Sequence, residues 1–120
     1  MYQIRFYRNK DGNSEPLEYI RELARKADKS SRVKLHKIQD YMGILQKHGT
    51  MAGEPYVKHL DGDIWELRPL RDRFLFAAWD GSGFVILSRF MKETQKTPRK
   101  QIDKAKKLLN DFRERVKKDE

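Results

Sequence analysis

The chain has 120 residues, of which 38% are hydrophobic and 38% are charged, and its formal net charge is +9. A chain of this length supports a single hydrophobic core, so residues 1–120 are predicted to form one domain. The absence of cysteine excludes a disulfide framework, a cysteine-ligated metal and a thiol nucleophile. Because no apolar run is long enough for a signal peptide or a membrane span, we expect a cytoplasmic protein with no membrane partner.

Positive charge is concentrated toward the C-terminus. Residues 88–118 contain twelve Lys and Arg against four Asp and Glu. Such a concentrated positive field favours polyanions, including nucleic acids. The alternative interpretation is a solvated helix face that aids solubility, and composition alone does not choose between the two.

The first half of the chain is predicted to form a strand and then two helices. Residues 2–7 alternate between apolar and polar side chains, as in a strand. Ser14 is the expected N-cap of the first helix, and Ser30-Ser31 is the expected cap of the second. Gly43 lies inside the second helix, where it is expected to allow close packing. The two helices are predicted to form an antiparallel hairpin that covers the sheet.

The second half is predicted to be a set of strands followed by a basic helix. The strand predictions cover residues 56–60, 64–70, 73–79 and 84–91. A hairpin loop is expected at Asp80-Gly81-Ser82-Gly83. Thr97 is the predicted N-cap of the last helix, and Pro98 its first residue. The fold class is thus α+β, with a small, mostly antiparallel sheet, an N-terminal helical hairpin and a C-terminal basic helix, in the order β-α-α-β-β-β-α.

Motifs for metals and nucleotide cofactors are not found in the sequence. There is no Walker loop, no GxGxxG and no HExxH, and neither Asp-Gly turn has the spacing of a calcium loop. His36, His48 and His59 are far apart, and histidines at the surface or at helix ends are a more frequent explanation than catalysis. We therefore expect neither a metal nor a cofactor.

Cations recur where the predicted strands begin and end. Arg68 and Arg73 flank a short connection, so both are expected near one end of the sheet. Lys92 ends the last strand, and Lys96 lies just before the last helix, whose N-terminal N–H groups favour anions. The spacing is consistent with a functional anion site, and equally with cations that simply remain solvated.

RNA would give these cations a chemical role without a metal or a histidine. A ribose 2′-OH can attack the adjacent phosphorus when it is in line with the leaving 5′-oxygen. Arginine suits the charged phosphorane, because its planar guanidinium donates paired hydrogen bonds and stays charged. A lysine among other cations is expected to have a lowered pKa, so that it can act as a base.

Two stretches carry a resemblance to a known family. They are W-E-L-R at residues 65–68, followed by an apolar hairpin, and F-x-K-x-T-x-K-T-P at residues 90–98. With these motifs the chain closely resembles HigB-type toxins of the RelE/ParE superfamily, in their phage-derived branch, over nearly its whole length. The resemblance implies a RelE-like fold and an endoribonuclease that cleaves mRNA, usually on the translating ribosome. It also implies a HigA-like helix-turn-helix antitoxin, through which the pair reaches operator DNA.

The resemblance also implies a set of site residues. The expected catalytic residues are Arg68, Arg73, Lys92 and Lys96, and the expected RNA-binding residues are Arg71, Arg89, Arg99 and Lys100. The chain departs from the family where Ser88-Arg89 replaces a frequent His-Gly pair and Glu93 replaces a lysine, so a histidine-assisted mechanism is not expected at that position. Two alternatives stay open: a non-enzymatic ParE-like toxin that binds gyrase, and a nucleic-acid-binding module without activity.

Overall fold

The computed structural model describes residues 1–118. They fold into a mixed five-stranded β-sheet with α-helices on both faces. The elements are β1 (Gln3–Phe6), α1 (Glu15–Arg25), α2 (Lys29–His48), a 3₁₀ turn (Gly49–Ala52), β2 (Val57–Asp61), β3 (Ile64–Leu67), β4 (Asp72–Asp80), β5 (Gly83–Met91) and α3 (Arg99–Lys118). The strand order is β1-β5-β4-β3-β2, with β1 parallel to β5 and the other pairs antiparallel. The predicted α+β class with a mostly antiparallel sheet is confirmed. No helix within residues 1–118 has both the length and the apolar character needed to cross a membrane.

The predicted element order is one strand short. β2 and β3 are two separate strands that pair with each other, with Val57 opposite Leu67. Gly62 has a φ of 56° in the turn between them, a conformation that glycine adopts without the steric cost a Cβ would add. The order is therefore β-α-α-β-β-β-β-α. The separate strands predicted at residues 56–60 and 64–70 are both present, and the predicted order counted one strand too few.

The two faces of the sheet hold separate apolar clusters. Leu75, Val85 and Leu87 pack with Leu109 and Phe112 of α3 on one face, which we call the α3 face. Phe74, Phe76 and Ile86 pack with Leu23 of α1 and Ile38 and Leu45 of α2 on the other, which we call the hairpin face. Because both faces are covered, β4 and β5 are apolar on both sides, as predicted for central strands.

The helix caps agree with prediction in one case and differ in another. The Ser14 side chain accepts a hydrogen bond from the Leu17 N–H at 3.4 Å, as predicted. The cap predicted at Ser30-Ser31 is wrong, because α2 begins earlier and Asp28 accepts the Ser31 N–H at 2.9 Å. A carboxylate takes this place since it can bond both the Ser31 N–H and the Ser31 hydroxyl.

Two further predictions on the helices are corrected. A Cβ at Gly43 would meet no atom within 4 Å, so close packing does not explain this glycine. α3 begins at Arg99 rather than at Pro98, and the Thr97 hydroxyl donates to Glu66 instead of capping the helix. Thr97 therefore joins the segment before α3 to the sheet through its hydrogen bond to Glu66.

A β-bulge in the β4–β5 hairpin decides which way the end of β5 faces. Phe76 pairs with Ile86, whereas Leu75 pairs with Ser88, so Leu87 is an extra residue in β5. Beyond the bulge the alternation of side chains is shifted by one. Arg89 is consequently paired with Phe74 on the hairpin face, where simple alternation from Leu87 would place it on the α3 face.

We predict that Gly83→Ala destabilises the protein and Gly81→Ala does not. A Cβ at Gly83 would lie 2.3 Å from the backbone oxygen of Gln3, whereas a Cβ at Gly81 meets nothing within 4 Å. Gly83→Ala must therefore displace β1, at a cost of about 1–3 kcal/mol in the free energy of unfolding. Urea unfolding followed by tryptophan fluorescence measures this. Equal midpoints for the two variants would contradict the close approach of β1 to β5.

Candidate active site

A buried carboxylate gathers two of the predicted cations at the end of the sheet where β3 finishes and β4 begins. Glu66 is 1% exposed. Its Oε1 lies 3.4 Å from the Arg68 Nε and 3.7 Å from the Arg73 Nε. Its Oε2 accepts a hydrogen bond from the Thr97 hydroxyl at 2.6 Å. Strand alternation sends Glu66 to the α3 face, away from Trp65 and Leu67, and we call these four residues (Glu66, Arg68, Arg73, Thr97) the Glu66 cluster.

Arg73 is the more buried arginine of the Glu66 cluster. Its Nη1 donates to the backbone oxygens of Leu70 at 2.8 Å and Asp72 at 2.9 Å, which fix the guanidinium. Burial lowers the pKa of Arg73, and the positive charge of Arg68 lowers it further. Two guanidinium groups are thus held close together in spite of their repulsion, which an added anion would relieve.

Arg68 faces solvent more than Arg73 does. Its side chain is 20% exposed, and its Nη1 lies 3.4 Å from the carboxylate of Glu54, which is 65% exposed. Its Nε is buried and has no hydrogen-bond partner among the described residues. This Nε lies beside Glu66, so a ligand would meet the partly exposed end of the guanidinium, where Glu54 adds an accessible carboxylate that can accept a proton.

The sequence analysis missed five residues of the site: Glu66 and Thr97 of the Glu66 cluster, Glu54, Lys58 and Ser88. Register shows the last two, because Lys58 of β2 lies opposite Glu66 and Ser88 of β5 lies opposite Leu75, the β4 partner of Glu66. The Ser88 hydroxyl is buried and unpartnered within the described part of the chain. Neither pairing follows from counting. The β2–β3 register shifts between His59 and Asp61, so a regular count from the turn would place His59 opposite Glu66, and the β5 bulge hides Ser88 in the same way.

The two predicted catalytic lysines both lie in the segment between β5 and α3. The Lys92 N–H donates to the Arg71 oxygen at 2.8 Å, and the Arg71 Nη2 donates to the Lys92 oxygen at 2.8 Å. The backbone of Lys92 is therefore fixed beside Arg71 at the same end of the sheet, and the Lys92 amine donates to the Gln95 side chain at 3.5 Å. Lys96 is exposed and directly precedes Thr97, whose hydroxyl bonds Glu66. The Thr97 contact thus holds the backbone next to Lys96 against the Glu66 cluster.

Arg89 is not brought to the Glu66 cluster. It lies on the hairpin face, where its guanidinium stacks on the Tyr19 ring at 3.8 Å and approaches the buried Asp72 carboxylate at 3.4 Å. The Tyr19 hydroxyl donates to the same carboxylate at 2.8 Å. Burial, followed by the bond to Asp72, raises the pKa of Tyr19, so this hydroxyl stays protonated. RNA binding by Arg89 stays a prediction.

The remaining predicted RNA-binding residues lie at the start of α3. Arg99 donates to Asp61 at 2.5 Å and to Asp103 at 3.1 Å, so its charge is already compensated. Hydrogen bonds from Lys106 and Arg99 lower the pKa of Asp61. Lys100 is exposed. RNA binding by Arg99 and Lys100 also stays a prediction.

Among residues 1–118, no group of three or more His, Asp or Glu side chains is positioned to hold an ion. The site consists instead of paired guanidinium groups, hydroxyls and an accessible carboxylate. Such groups can bind a phosphate, stabilise added negative charge on it and exchange protons.

The sequence of the chain matches a known protein family. Residues 18–110 match the family described as phage-derived protein Gp49-like (DUF891). The chain belongs to this Gp49-like family. The fold of this Gp49-like protein is similar to a chain of the YoeB–YefM complex from Staphylococcus aureus, with a TM-score of 0.52, 14% sequence identity, and coverage of 77% of this chain and 98% of that chain. No curated protein matches the sequence.

We predict that Arg89→Ala destabilises the fold. The substitution removes the cation that neutralises Asp72, which is 2% exposed, so an unpaired charge would stay buried. The expected loss in the free energy of unfolding is about 3 kcal/mol. Lys100→Ala is the matched control, since Lys100 is exposed and its removal should change stability by less than about 0.5 kcal/mol. Urea denaturation measures both, and an unchanged Arg89→Ala midpoint would contradict the pairing.

Proposed function

We propose that this Gp49-like protein is the toxin of a type II toxin–antitoxin system, of the HigB type. In this proposal it is an endoribonuclease that cleaves mRNA on the translating ribosome and thereby inhibits translation and growth. The observation that carries the proposal is the pair of guanidinium groups held at one carboxylate, with the Arg68 side chain partly exposed to solvent. The motifs at residues 65–68 and 90–98 support the same assignment.

The proposed reaction is attack of a ribose 2′-oxygen on the adjacent phosphorus. The new P–O bond forms as the bond to the 5′-oxygen breaks, which leaves a cyclic phosphate and a free 5′-hydroxyl. Arg73 and Arg68 bind the non-bridging oxygens and stabilise their growing negative charge. Lys92 or Lys96 takes the 2′-proton or adds positive charge, and the leaving 5′-oxygen takes a proton from the other lysine or from water to become the 5′-hydroxyl. No step in this scheme requires a metal.

We predict that Arg73→Ala abolishes growth arrest and lowers the rate of mRNA cleavage by at least about 100-fold, because it removes a donor to the charged phosphorane. Arg21→Ala is a control, since Arg21 is an exposed arginine whose contact is Glu18 of its own helix. Circular dichroism and urea unfolding show whether each variant is folded. A folded Arg73→Ala protein that cleaves like the parent would refute the assignment of Arg73.

The proposal is tested against the gyrase alternative by the products that form in cells. After expression, primer extension on total RNA should show discrete new 5′ ends, without DNA damage. DNA damage without new RNA ends would mean a ParE-like gyrase poison instead. Translation extracts with and without ribosomes then determine whether cleavage depends on the ribosome.

The partner in this proposal is a HigA-like helix-turn-helix antitoxin that carries the pair to operator DNA. A chain of similar fold is found in a complex, that of YoeB with YefM. We place the antitoxin contact at a groove of about 760 Å³ between the start of α2 and the end of the sheet. Val33, Leu70 and Met91 are its apolar residues, and Lys29, Lys34 and Arg71 surround them.

The chemistry of this groove fits an acidic segment with an aliphatic anchor. Leu70 is 49% exposed and Val33 is 47% exposed. The φ of Leu70 is 57°, a left-handed conformation that costs a non-glycine residue about 1 kcal/mol or more. The described lining of the groove contains no aromatic ring on which a base could stack, which favours a peptide over RNA as its ligand.

We predict that Leu70→Gly weakens antitoxin binding without loss of stability. Glycine adopts the left-handed conformation freely, while the lost aliphatic contact is expected to lower affinity by about ten-fold or more. Met51→Ala is the control, since Met51 is 89% exposed outside the groove. Titration calorimetry with the product of the neighbouring gene measures both, and equal dissociation constants would remove the groove from the interface.

A further inference from the structure

Glu66 is a negative charge inside a site that is proposed to bind a polyanion. A carboxylate in this place opposes substrate binding by repulsion, so its burial at 1% exposure needs an explanation beyond phosphate recognition. Its two oxygens are also used differently. Oε1 faces the guanidinium groups of Arg68 and Arg73, while Oε2 takes a short bond from Thr97.

The contacts between Glu66 and the arginines are long for charge-assisted hydrogen bonds. They measure 3.4 and 3.7 Å, whereas such bonds are typically about 2.7–2.9 Å. The carboxylate therefore compensates charge without occupying the donors fully. Arg68, Arg73 and Glu66 together carry a formal charge of +1, and the exposed carboxylate of Glu54, 3.4 Å from Arg68, balances that charge.

The Thr97 contact extends this arrangement beyond the two arginines. Thr97 belongs to the segment between β5 and α3, which has no strand or helix of its own. The bond to Oε2 is 2.6 Å long and joins residues 31 positions apart. Glu66 thus sets the position of Arg68 and Arg73 through one oxygen, and of the backbone beside Lys96 through the other.

We infer that Glu66 is a positioning residue, a buried counter-ion that holds Arg68 and Arg73 side by side and fixes the Lys96–Thr97 segment against them. This inference rests on the proposed ribonuclease function and deepens it. The negative charge of Glu66 weakens the attraction of the site for RNA, but it also holds the two guanidinium groups where the charged phosphorane develops.

Glu66→Gln tests the inference because the amide keeps the size and a hydrogen-bond acceptor for Thr97 but removes the charge. We expect kcat for RNA cleavage to fall by about 10- to 100-fold, as for a displacement of catalytic groups. RNA affinity should stay equal or rise. The affinity should also fall more steeply with salt concentration, by up to the amount expected for about one additional phosphate contact, because the arginines are no longer paired with a charge. A merely structural carboxylate would lower kcat, affinity and stability together.

Thr97 supplies a second, milder pair of variants. Thr97→Val keeps the shape but loses the hydroxyl, and it should lower kcat by about ten-fold. Thr97→Ser restores the hydroxyl and should restore kcat. Asp111→Asn is the matched control, because Asp111 also bonds a hydroxyl, that of Tyr7, and an arginine, Arg115, but farther along α3. Its kcat should remain at the parental value.

The outcomes separate this inference from the proposed function. If the parent protein makes no discrete cuts in RNA, with or without ribosomes, the proposed function fails and the inference fails with it. If the parent cleaves and folded Glu66→Gln cleaves with the parental kcat, only the inference is overturned. It is also overturned if kcat and affinity fall in parallel, or if Thr97→Ser does not restore what Thr97→Val loses.

Discussion

Two buried carboxylates determine where the cations of this chain can lie. Glu66 on the α3 face and Asp72 on the hairpin face are each almost without solvent contact. A buried charge without a partner costs several kcal/mol, so each carboxylate requires at least one cation. Arg68 and Arg73 lie at Glu66, while Arg89 lies at Asp72. The sheet thus separates the cations into two groups, although they are close together in the sequence.

The bulge in β5 makes this separation possible. Without the extra residue at Leu87, alternation would place Arg89 on the α3 face with the other arginines, and Asp72 would lose its cation. With the bulge, Tyr19 and Arg89 meet Asp72 from α1 and β5. The same shift brings the Ser88 hydroxyl into line with Leu75 and Glu66. One inserted residue therefore changes the chemistry on both faces.

Sequence reasoning recovered the features that depend on local pattern. The five strands, both central strands and the Ser14 cap follow from alternation and from the preferences of cap residues. The convergence of Arg68 and Arg73 also follows, since they flank a short connection. Features that depend on register were missed: the bulge, Lys58 opposite Glu66, and Thr97 as a partner of Glu66 rather than a cap. Cross-strand partners have no signature in a single strand, because pairing is a property of the folded sheet.

The net charge of +9 is a poor guide to the chemistry of the site. Much of the basic surface of α3 is matched locally, since Arg99 and Lys106 bond Asp61 and Arg113 bonds Asp63. Such exposed pairs contribute little stability, and they leave a diffuse field that steers a polyanion without orienting it. Orientation requires donors with fixed positions and unfilled capacity. In the described residues that combination is found at Arg68 and Arg73, where burial and one counter-ion hold two like charges together.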